Sequence, residues 1–506
     1  MQEISPEELH RSSMTRTRTI TVRPGKKHEK NLLTMSGTAW PSSEPPERGY
    51  DDERVSLEQL RLDFPTPIFG SYESWAPGNW TSGFGSNEAA EVSWEKVNWA
   101  GLQQNCLQRN ADRYRSADPQ EKTIWTANDL HHIRSMVMEL SLYSGGEYEV
   151  ILLVDCQGKT LPGPRDTAAM ESFKKRHLPA ELREMAVVFN EKMLADWYPG
   201  IGTHVAILQY YQPVQIFSRL HPQYDYIWQF EMNSRYTGHL YHLLHQATEF
   251  AKRQPRKHTW ERNSYFYIPA VHGTWEEFTN MVDKEVSGHD SVWGPRPAEG
   301  IDVEGEASVP PVPNPEDDAR SWGVGKEADL ITWLPRFNPA GVEWPFRGRI
   351  FNFLQGENML RRAAVVAMSR VSARLLRLLH SDKAEKGVGL ASEMSLASWA
   401  LFYGLKAIQV PQPLFHDYAW DPAELNRHAN SGDPQGEVNA GFTSIWSWNQ
   451  HHEILFNTTL MFRSAFAEKL YRAWLGYGEA ENWEKENSRL CLPSMLLHPV
   501  KKREIR

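Results

Sequence analysis

Acidic and amide side chains directly follow three apolar runs of this chain, where strands are predicted to end. Asn128 follows TIWTA, Asp155 follows VILLV, and Glu231 and Asn233 follow YDYIWQF. In open parallel sheets, ligands bind beyond the carboxyl ends of the strands. An acid-x-amide pair there suits Mg²⁺ or Mn²⁺ held against a diphosphate, because these ions prefer oxygen ligands. Glu231 and Asn233 are therefore candidate metal ligands, although such triplets also occur at ordinary exposed strand ends.

Other charged residues could complete a group-transfer site. A carboxylate near the anomeric carbon or the acceptor hydroxyl is needed for glycosyl transfer. Glu327 and Asp329 in WGVGKEADLI and Glu393 in ASEMSLAS are candidates, and the sequence does not choose among them. Glu393 also suits a structural role, since an acid in the first turn of a helix is stabilised by the helix dipole. Arg235 follows Glu231 closely enough to reach a phosphate or to make an ordinary surface pair.

The elements that must position these residues alternate between strands and helices. TIWTA and VILLVD read as strands on either side of the helical pattern LHHIRSMVMELSLYS, which predicts a strand–helix–strand unit with a parallel crossover. Further strands are predicted at HVAILQYY, YDYIWQFEM, SYFYIPAV and IQVPQP. Helices are predicted at RRAAVVAMSRVSARLLRLLH, EMSLASWALFYGLKA and SAFAEKLYRAWLG. The pattern predicts an α/β fold with a mostly parallel, Rossmann-like sheet flanked by helices.

The composition is that of a folded protein with a large core. Of 506 residues, 40% are hydrophobic, and the net charge of −9 argues against nucleic acid as a partner. No run approaches the ~18–20 apolar residues of a membrane span. Three distant cysteines offer neither a disulfide framework nor a zinc knuckle. We therefore expect a cytoplasmic protein.

The domain organisation follows from changes in composition along the chain. Residues 1–90 are rich in Pro, Gly, Ser and charge, and they are predicted to form a partly disordered leader with a docking segment. Residues 91–506 are predicted to form one catalytic domain. Within it, the acidic, Pro-rich stretch at about 299–320 is predicted to be a mobile surface loop.

Several motifs occur in the same order as in a fungal family recorded mainly as a domain of unknown function. They include MELSLYSGGEYEV, FEMNSRYTGH, FYIPAVHGTW, WGVGKEADLITWLPRF, RRAAVVAMSR, EMSLASWAL and CLPSMLLHPVKK, and the likeness runs from about Val97 to Lys502. More distantly, IWQFEMNSRYTGH resembles the segment of fungal α-mannosyltransferases in which a strand rich in Tyr and Trp delivers a metal-binding Glu. Those enzymes have the GT-A fold.

This second resemblance implies a nucleotide-sugar-dependent glycosyltransferase with a GT-A-like fold. A UDP- or GDP-sugar would bind over the strand–helix–strand unit, with Asn128 and Asp155 near its nucleotide. Glu231 would hold Mn²⁺ or Mg²⁺, as the metal-binding Glu of those enzymes does. Asn233 stands where an Asp is expected, and a neutral ligand binds a divalent ion more weakly.

The end of the chain adds two candidates through the same resemblance. Several GT-A enzymes close their site with a late His that completes the metal shell and a basic residue on the diphosphate. His498 and Lys501 in LLHPVKK match that arrangement, and a solvated basic tail is the alternative. With Arg235, Lys501 would counter the phosphate charge. The acceptor expected for a cytosolic enzyme is a small molecule, for example a secondary metabolite.

Two other functions stay open at this point. A binding protein that kept the fold and lost its chemistry is favoured by Asn233. A metal-dependent hydrolase is suggested by the histidine-rich segments, although HHE in WSWNQHHEI lacks the spacing of a zinc protease.

Overall fold

The computed structural model describes most of the chain from residue 127 onward, together with one segment near the amino terminus. The described residues are 127–163, 166–365, 368–416, 420–432, 438–448, 458–461, 465–475 and 493–500, and the backbone of 18–24. In the described residues, helices surround three sheets. The helices are Ala127–Met136 (α1), Thr167–His177 (α2), Glu191–Trp197 (α3), Ala206–Gln209 (α4), Gln212–Leu220 (α5), Leu240–Arg253 (α6), Thr259–Arg262 (α7), Pro269–His272 (α8), Trp275–Val286 (α9), Ala373–Glu385 (α10), Ser392–Phe402 (α11), Pro422–Ala429 (α12) and Ala465–Trp474 (α13).

The main sheet has seven strands. Its members are Arg18–Pro24 (β1), Tyr148–Asp155 (β2), Ala186–Phe189 (β3), Tyr226–Glu231 (β4), Leu330–Thr332 (β6), Ser369–Ser372 (β8) and Ala407–Gln409 (β10), in the spatial order β10-β6-β8-β4-β1-β2-β3. Two small sheets pair Arg235–Tyr236 (β5) with Leu496–Leu497 (β11), and Ile350–Phe351 (β7) with Gly389–Leu390 (β9). The α/β class is thus confirmed.

The direction of the strands is mixed. Only β2–β3 and β6–β10 pair in parallel, whereas the other four ladders of the main sheet are antiparallel. The expectation of mostly parallel pairing is therefore wrong. The reason is that β1 and β8 lie reversed between strands that otherwise all point one way. The carboxyl ends of β2, β3, β4, β6 and β10 still share one edge of the sheet.

Sequence patterns located some elements and misread others. YDYIWQFEM, VILLVD and IQVPQP overlap β4, β2 and β10 as predicted, and EMSLASWALFYGLKA overlaps α11. HVAILQYY instead forms α4 and the turn before α5, and SYFYIPAV forms a loop and the start of α8. The first half of RRAAVVAMSRVSARLLRLLH holds β8, and only its second half is helical. TIWTA lies outside the described residues up to Ala127, where α1 begins.

The core lies on both faces of the main sheet and is unusually aromatic. Five tryptophans are almost fully buried: Trp228, Trp333, Trp344, Trp399 and Trp446. The segment 299–320 contains only the 3₁₀ turn Pro315–Asp317. Within the described residues, no helix combines the length and apolarity needed to cross a lipid bilayer.

Two glycines touch where the chain after α3 meets the turn before β9. A Cβ on Gly200 would stand 2.7 Å from the Cα of Gly387, and Asn352 Nδ2 donates to the carbonyls of both glycines, at 2.8 and 2.7 Å. We expect Gly200→Ala to lower the free energy of unfolding by about 1–3 kcal/mol, because backbone must move to admit the methyl group. Urea denaturation measures this. Gly202→Ala is the control, since nothing lies within 4 Å of its Cβ position; equal losses in both variants would contradict the argument.

Candidate functional site

The shared edge of the main sheet brings two of the predicted residues into one region. Thr19 of β1 pairs with Glu231 on one side and with Leu153 on the other, so these two residues stand level across three strands. At the usual spacing between neighbouring strands, Glu231 and Leu153 are roughly 10 Å apart. Asp155 ends β2 two residues beyond Leu153. Asp155 and Glu231 therefore lie at the same edge, as the sequence predicts.

Glu231 contacts a residue that is distant in the sequence. His498 Nε2 lies 3.0 Å from Glu231 Oε2, and the imidazole is 2% exposed. The backbone around His498 is tied to the segment 458–461, because its N–H donates to the Thr459 carbonyl and its own carbonyl accepts from the Met461 N–H. The structure thus brings together the two residues predicted from opposite ends of the domain.

The imidazole orientation constrains what can lie between these two residues. His498 Nδ1 is hydrogen-bonded to the Met461 carbonyl, so that nitrogen must carry a proton. A neutral ring then directs the lone pair of Nε2 at a carboxylate oxygen. Two acceptors face each other, and the contact is stabilising only when a proton or a metal ion lies between them. Anchoring of one ring nitrogen by a carbonyl while the other faces a ligand is the arrangement usual in metal sites.

Asn233 lies on the turn that follows Glu231. Its carbonyl accepts from the Val500 N–H at 2.7 Å, and the Ser234 hydroxyl donates to the Glu231 carbonyl at 2.6 Å. The side-chain Oδ1 of Asn233 is buried and has no hydrogen-bond partner in the described part of the chain. A buried carbonyl oxygen without a donor is costly, and it would be satisfied by a cation or a bound polar group.

Arg235 does not face this region in the way the sequence suggests. Its guanidinium is 3% exposed, and Nη1 donates to the carbonyls of Met232 and Ser234 at 2.7 and 2.6 Å. Tyr471 covers it, with the ring centroid 5.6 Å from Cζ. The predicted phosphate contact is therefore wrong for this structure. Arg235 instead fixes the turn that carries Asn233.

Glu393 and Glu231 both act electrostatically on Tyr211. Glu393 is half-buried in the first turn of α11, and its carbonyl accepts from the Ala364 N–H at 2.9 Å. Burial raises the pKa of the Tyr211 phenol above its ordinary range, and the negative fields of Glu231 and Glu393 act in the same direction. Tyr211, whose hydroxyl lies 3.1 Å from Ser369 Oγ, therefore stands near both carboxylates.

Glu327 and Asp329 lie at the opposite edge of the sheet. They precede β6, and Asp329 Oδ1 accepts from the Ser372 hydroxyl at 2.9 Å, level with the start of β4. Glu231 lies five residues further along β4, so it is about 16 Å away in the direction of the strand. Glu327 pairs with Arg370 at 2.9 Å. The prediction that either residue is a catalytic acid beside Glu231 is wrong, because both are committed to structural contacts elsewhere.

A small concavity of about 10 Å³, room for roughly one water molecule, lies beyond β2 and β3. Asp155 lines it, and so do residues that the sequence patterns did not single out, namely Glu191, His204, Gln209 and Tyr210. Gln209 is 2% exposed, accepts from Lys383 Nζ at 2.9 Å and leaves its own Nε2 without a partner among the described residues. A carboxylate beside a buried amide donor suits a polar ligand with both donors and acceptors.

Lys383 is buried behind Gln209, and burial lowers the pKa of its ammonium from 10.5 to about 7. Between these two pH values the unfolded chain holds a proton that the folded chain has released. Stability is therefore expected to rise with pH across that window, by up to about 1.4 kcal/mol per pH unit, and to be flat below pH 7. Lys383→Met should reduce the slope in urea denaturation from pH 7 to 10 without abolishing it, because burial also lowers the pKa of Lys406 to about 7. Lys386→Met, which changes a half-exposed lysine of the same helix, should keep it; a slope unchanged in Lys383→Met would contradict this assignment.

A family model matches residues 73–124 and 119–502, which include every described residue of the candidate site. Its description is "Protein of unknown function (DUF3405)". The chain belongs to this family. The comparison with curated proteins finds no match, and neither does the comparison with solved structures.

Two predicted residues of this DUF3405 domain cannot be placed. Lys501 lies outside the described residues, as does the side chain of Asn128, whose backbone is in the first turn of α1. In the ranges that the structure describes, no cluster of three or more His, Cys, Asp and Glu side chains is arranged to hold a metal ion. A site at Glu231 and His498 would therefore need the Asn233 amide or a ligand oxygen as well.

Proposed function

We propose that this DUF3405 chain is a nucleotide-sugar-dependent glycosyltransferase. The observation that carries the proposal is the pairing of Glu231 with His498, in which the far side of the imidazole is anchored by the Met461 carbonyl. The pair lies at the sheet edge where the carboxyl ends of five strands meet. Such an edge is where open α/β sheets bind their ligands. The finer fold proposal is a GT-A-like domain, supported by Asp155 and Glu231 at that edge.

The residues at this edge suit a divalent cation bound with a diphosphate. Glu231 offers a carboxylate oxygen, His498 an imidazole nitrogen, and Asn233 a buried amide oxygen that no donor satisfies. This mixed O/N set is acceptable to Mn²⁺ and Mg²⁺, with the remaining positions filled by water and phosphate oxygens. When bound, such an ion would neutralise charge on the leaving diphosphate.

The other residues take roles that follow from their positions. Asp155 and Gln209 line the small concavity beyond β2, at the sheet edge where the nucleoside part of a UDP- or GDP-sugar would lie. Glu393 would accept the proton of the acceptor hydroxyl or stabilise charge at the anomeric carbon. The acceptor we favour is a small molecule.

The test is incubation of the pure protein with UDP- and GDP-sugars, with and without Mn²⁺ or Mg²⁺. Release of nucleotide diphosphate with one donor class, dependent on the ion, is the expected result. Indifference to every donor in both binding and turnover would overturn the proposal.

A non-catalytic nucleotide-sugar-binding protein is the second candidate. Asn233 favours it, because an amide leaves the cation with one carboxylate fewer than an acid would provide. In the same assay this candidate predicts a shift in melting temperature with one donor class but no release of nucleotide.

Restoring an acid at this position provides a further prediction. Asn233→Asp is expected to tighten Mn²⁺ binding by at least about fivefold, since a second carboxylate beside Glu231 is stabilised by a cation and destabilised without one. Isothermal titration measures the affinity, and the metal-free variant should be no more stable than the parent. Asn338→Asp, away from this turn, is the control. Equal or weaker Mn²⁺ binding would show that residue 233 does not face the ion.

A further inference from the structure

The side-chain amide of Gln209 is bonded at its oxygen and not at its nitrogen. Gln209 is the last residue of α4 and is 2% exposed. Its Oε1 accepts from Lys383 Nζ at 2.9 Å, and its Nε2 is buried with no hydrogen-bond partner among the described residues. A buried amide donor without an acceptor is costly, and an acceptor atom of a ligand would satisfy it.

Lys383 determines which end of this amide is available. Its side chain is 1% exposed and belongs to α10. A protonated amine has three donors and no acceptor, so it can bond to the amide oxygen but not to the amide nitrogen. Turning the Gln209 amide over would place two donors against each other and would leave the oxygen without its donor. Gln209 is therefore restricted to donating.

Gln209 lies where the base of a nucleotide would be expected. It lines the small concavity beyond β2 and β3 together with Asp155, and the space of about 10 Å³ admits a single ligand atom. In the main sheet β1 lies between β2 and β4, so β2 is roughly 10 Å from the strand of Glu231. That separation leaves room for a ribose and a diphosphate between a base at the concavity and a cation at Glu231.

We propose that Gln209, positioned by Lys383, selects nucleobases that carry a carbonyl oxygen in place of an amino group. Uracil and guanine carry such a carbonyl, which would accept from Nε2, whereas cytosine and adenine carry an amino group there. An amino group would place a donor against a donor in a buried site. The inference rests on the proposed function, because it takes the concavity as the place of the donor's base.

The test measures the affinity of the full chain for UDP, CDP, GDP and ADP by isothermal titration with Mn²⁺. The titration is run at about pH 6, below the pKa of about 7 to which burial lowers the Lys383 amine, so that this group is protonated. UDP should bind at least about tenfold more tightly than CDP, or GDP than ADP, because the wrong base leaves buried polar groups unpaired.

Variants separate the positioning role of Lys383 from a merely structural one. Lys383→Met lets the amide turn over and should bring the ratio between the two affinities below about threefold. Lys386→Met changes a half-exposed lysine of the same helix and should keep the ratio. Gln209→Glu would pair with Lys383 and present only acceptors, so it should reverse the preference toward CDP or ADP.

The outcomes separate this inference from the proposed function. Equal binding of all four nucleotides by the unaltered protein would overturn the inference and leave a transferase possible. An unchanged ratio in Lys383→Met, or an unchanged preference in Gln209→Glu, would also overturn it. Weaker binding of deoxyribose nucleotides together with equal binding of UDP and CDP would assign Gln209 to the ribose, against the proposal. Absence of binding by every nucleotide would overturn the proposed function, and the base selection with it.

Discussion

Glu231→Gln is expected to lower sugar transfer by about 10²-fold or more while the protein stays folded. The substitution removes the charge that would hold a cation against the diphosphate, and electrostatic contributions of this kind are commonly worth that much. The new amide can donate to His498 Nε2, so the contact between the two side chains survives. The expected change in unfolding free energy is below about 1 kcal/mol. Measurements are kcat/KM with the active donor, Mn²⁺ titration and urea denaturation.

The matched control for this variant is Glu327→Gln at the opposite edge of the sheet. It should keep normal turnover and lose stability, because the nearly buried Arg370 loses its charged partner. If Glu231→Gln retains near-normal turnover, or unfolds, the role given to Glu231 is wrong. If Glu327→Gln is the inactive variant, the catalytic region lies at the other edge.

Glu393→Gln should lower kcat by about 10²–10⁴-fold and leave donor and Mn²⁺ binding unchanged. Loss of a general base or of a charge at the reacting carbon affects the chemical step and spares ground-state binding. This pattern separates Glu393 from Glu231, whose replacement should weaken metal binding. Steady-state kinetics and isothermal titration provide the two readouts.

A structural role for Glu393 would give a different result. Both Glu393 and Glu424 are acids in the first turn of a helix, so each should contribute roughly 0.3–1 kcal/mol through the helix dipole. Glu424→Gln therefore serves as the control for stability. Similar small losses of stability in both variants, with full activity in Glu393→Gln, would assign Glu393 to helix capping alone.

The ends of β2 and β4 are predicted correctly because they depend on short sequence patterns. VILLVD is a continuous apolar run closed by an acid, which is typical of a buried strand, and YDYIWQFEM is rich in the aromatic residues that favour strands. The pairing of Glu231 with His498 was anticipated only through a family resemblance, since no spacing rule links residues so far apart. The Tyr211 and Gln209 positions carry no sequence signal of their own, because buried polar residues are defined by their neighbours.

The segments whose secondary structure differs from the prediction have physical explanations as well. HVAILQYY and SYFYIPAV are rich in residues that favour strands, but tertiary packing overrides that preference, and the two segments form α4 and the start of α8. Pro213 and Pro269 stand in the first turn of α5 and α8, and a proline at that position is a sequence signal for the start of a helix. Conversely, the alanines and arginines before β8 favour a helix, whereas the position between β4 and β6 demands a strand. The sequence does not predict the burial of the Arg235 side chain, because its charge favours an exposed position.

The separation of 267 positions between Glu231 and His498 has a consequence during translation. At typical synthesis rates, the ribosome needs roughly 13–50 s to travel from one codon to the other. Throughout that time the turn after β4 lacks β11 and the Val500 N–H that later bonds to Asn233. A nascent chain can thus form most of the main sheet before His498 is present to contact Glu231. The contact between Glu231 and His498 would therefore form only after β11 docks, later than the rest of the sheet.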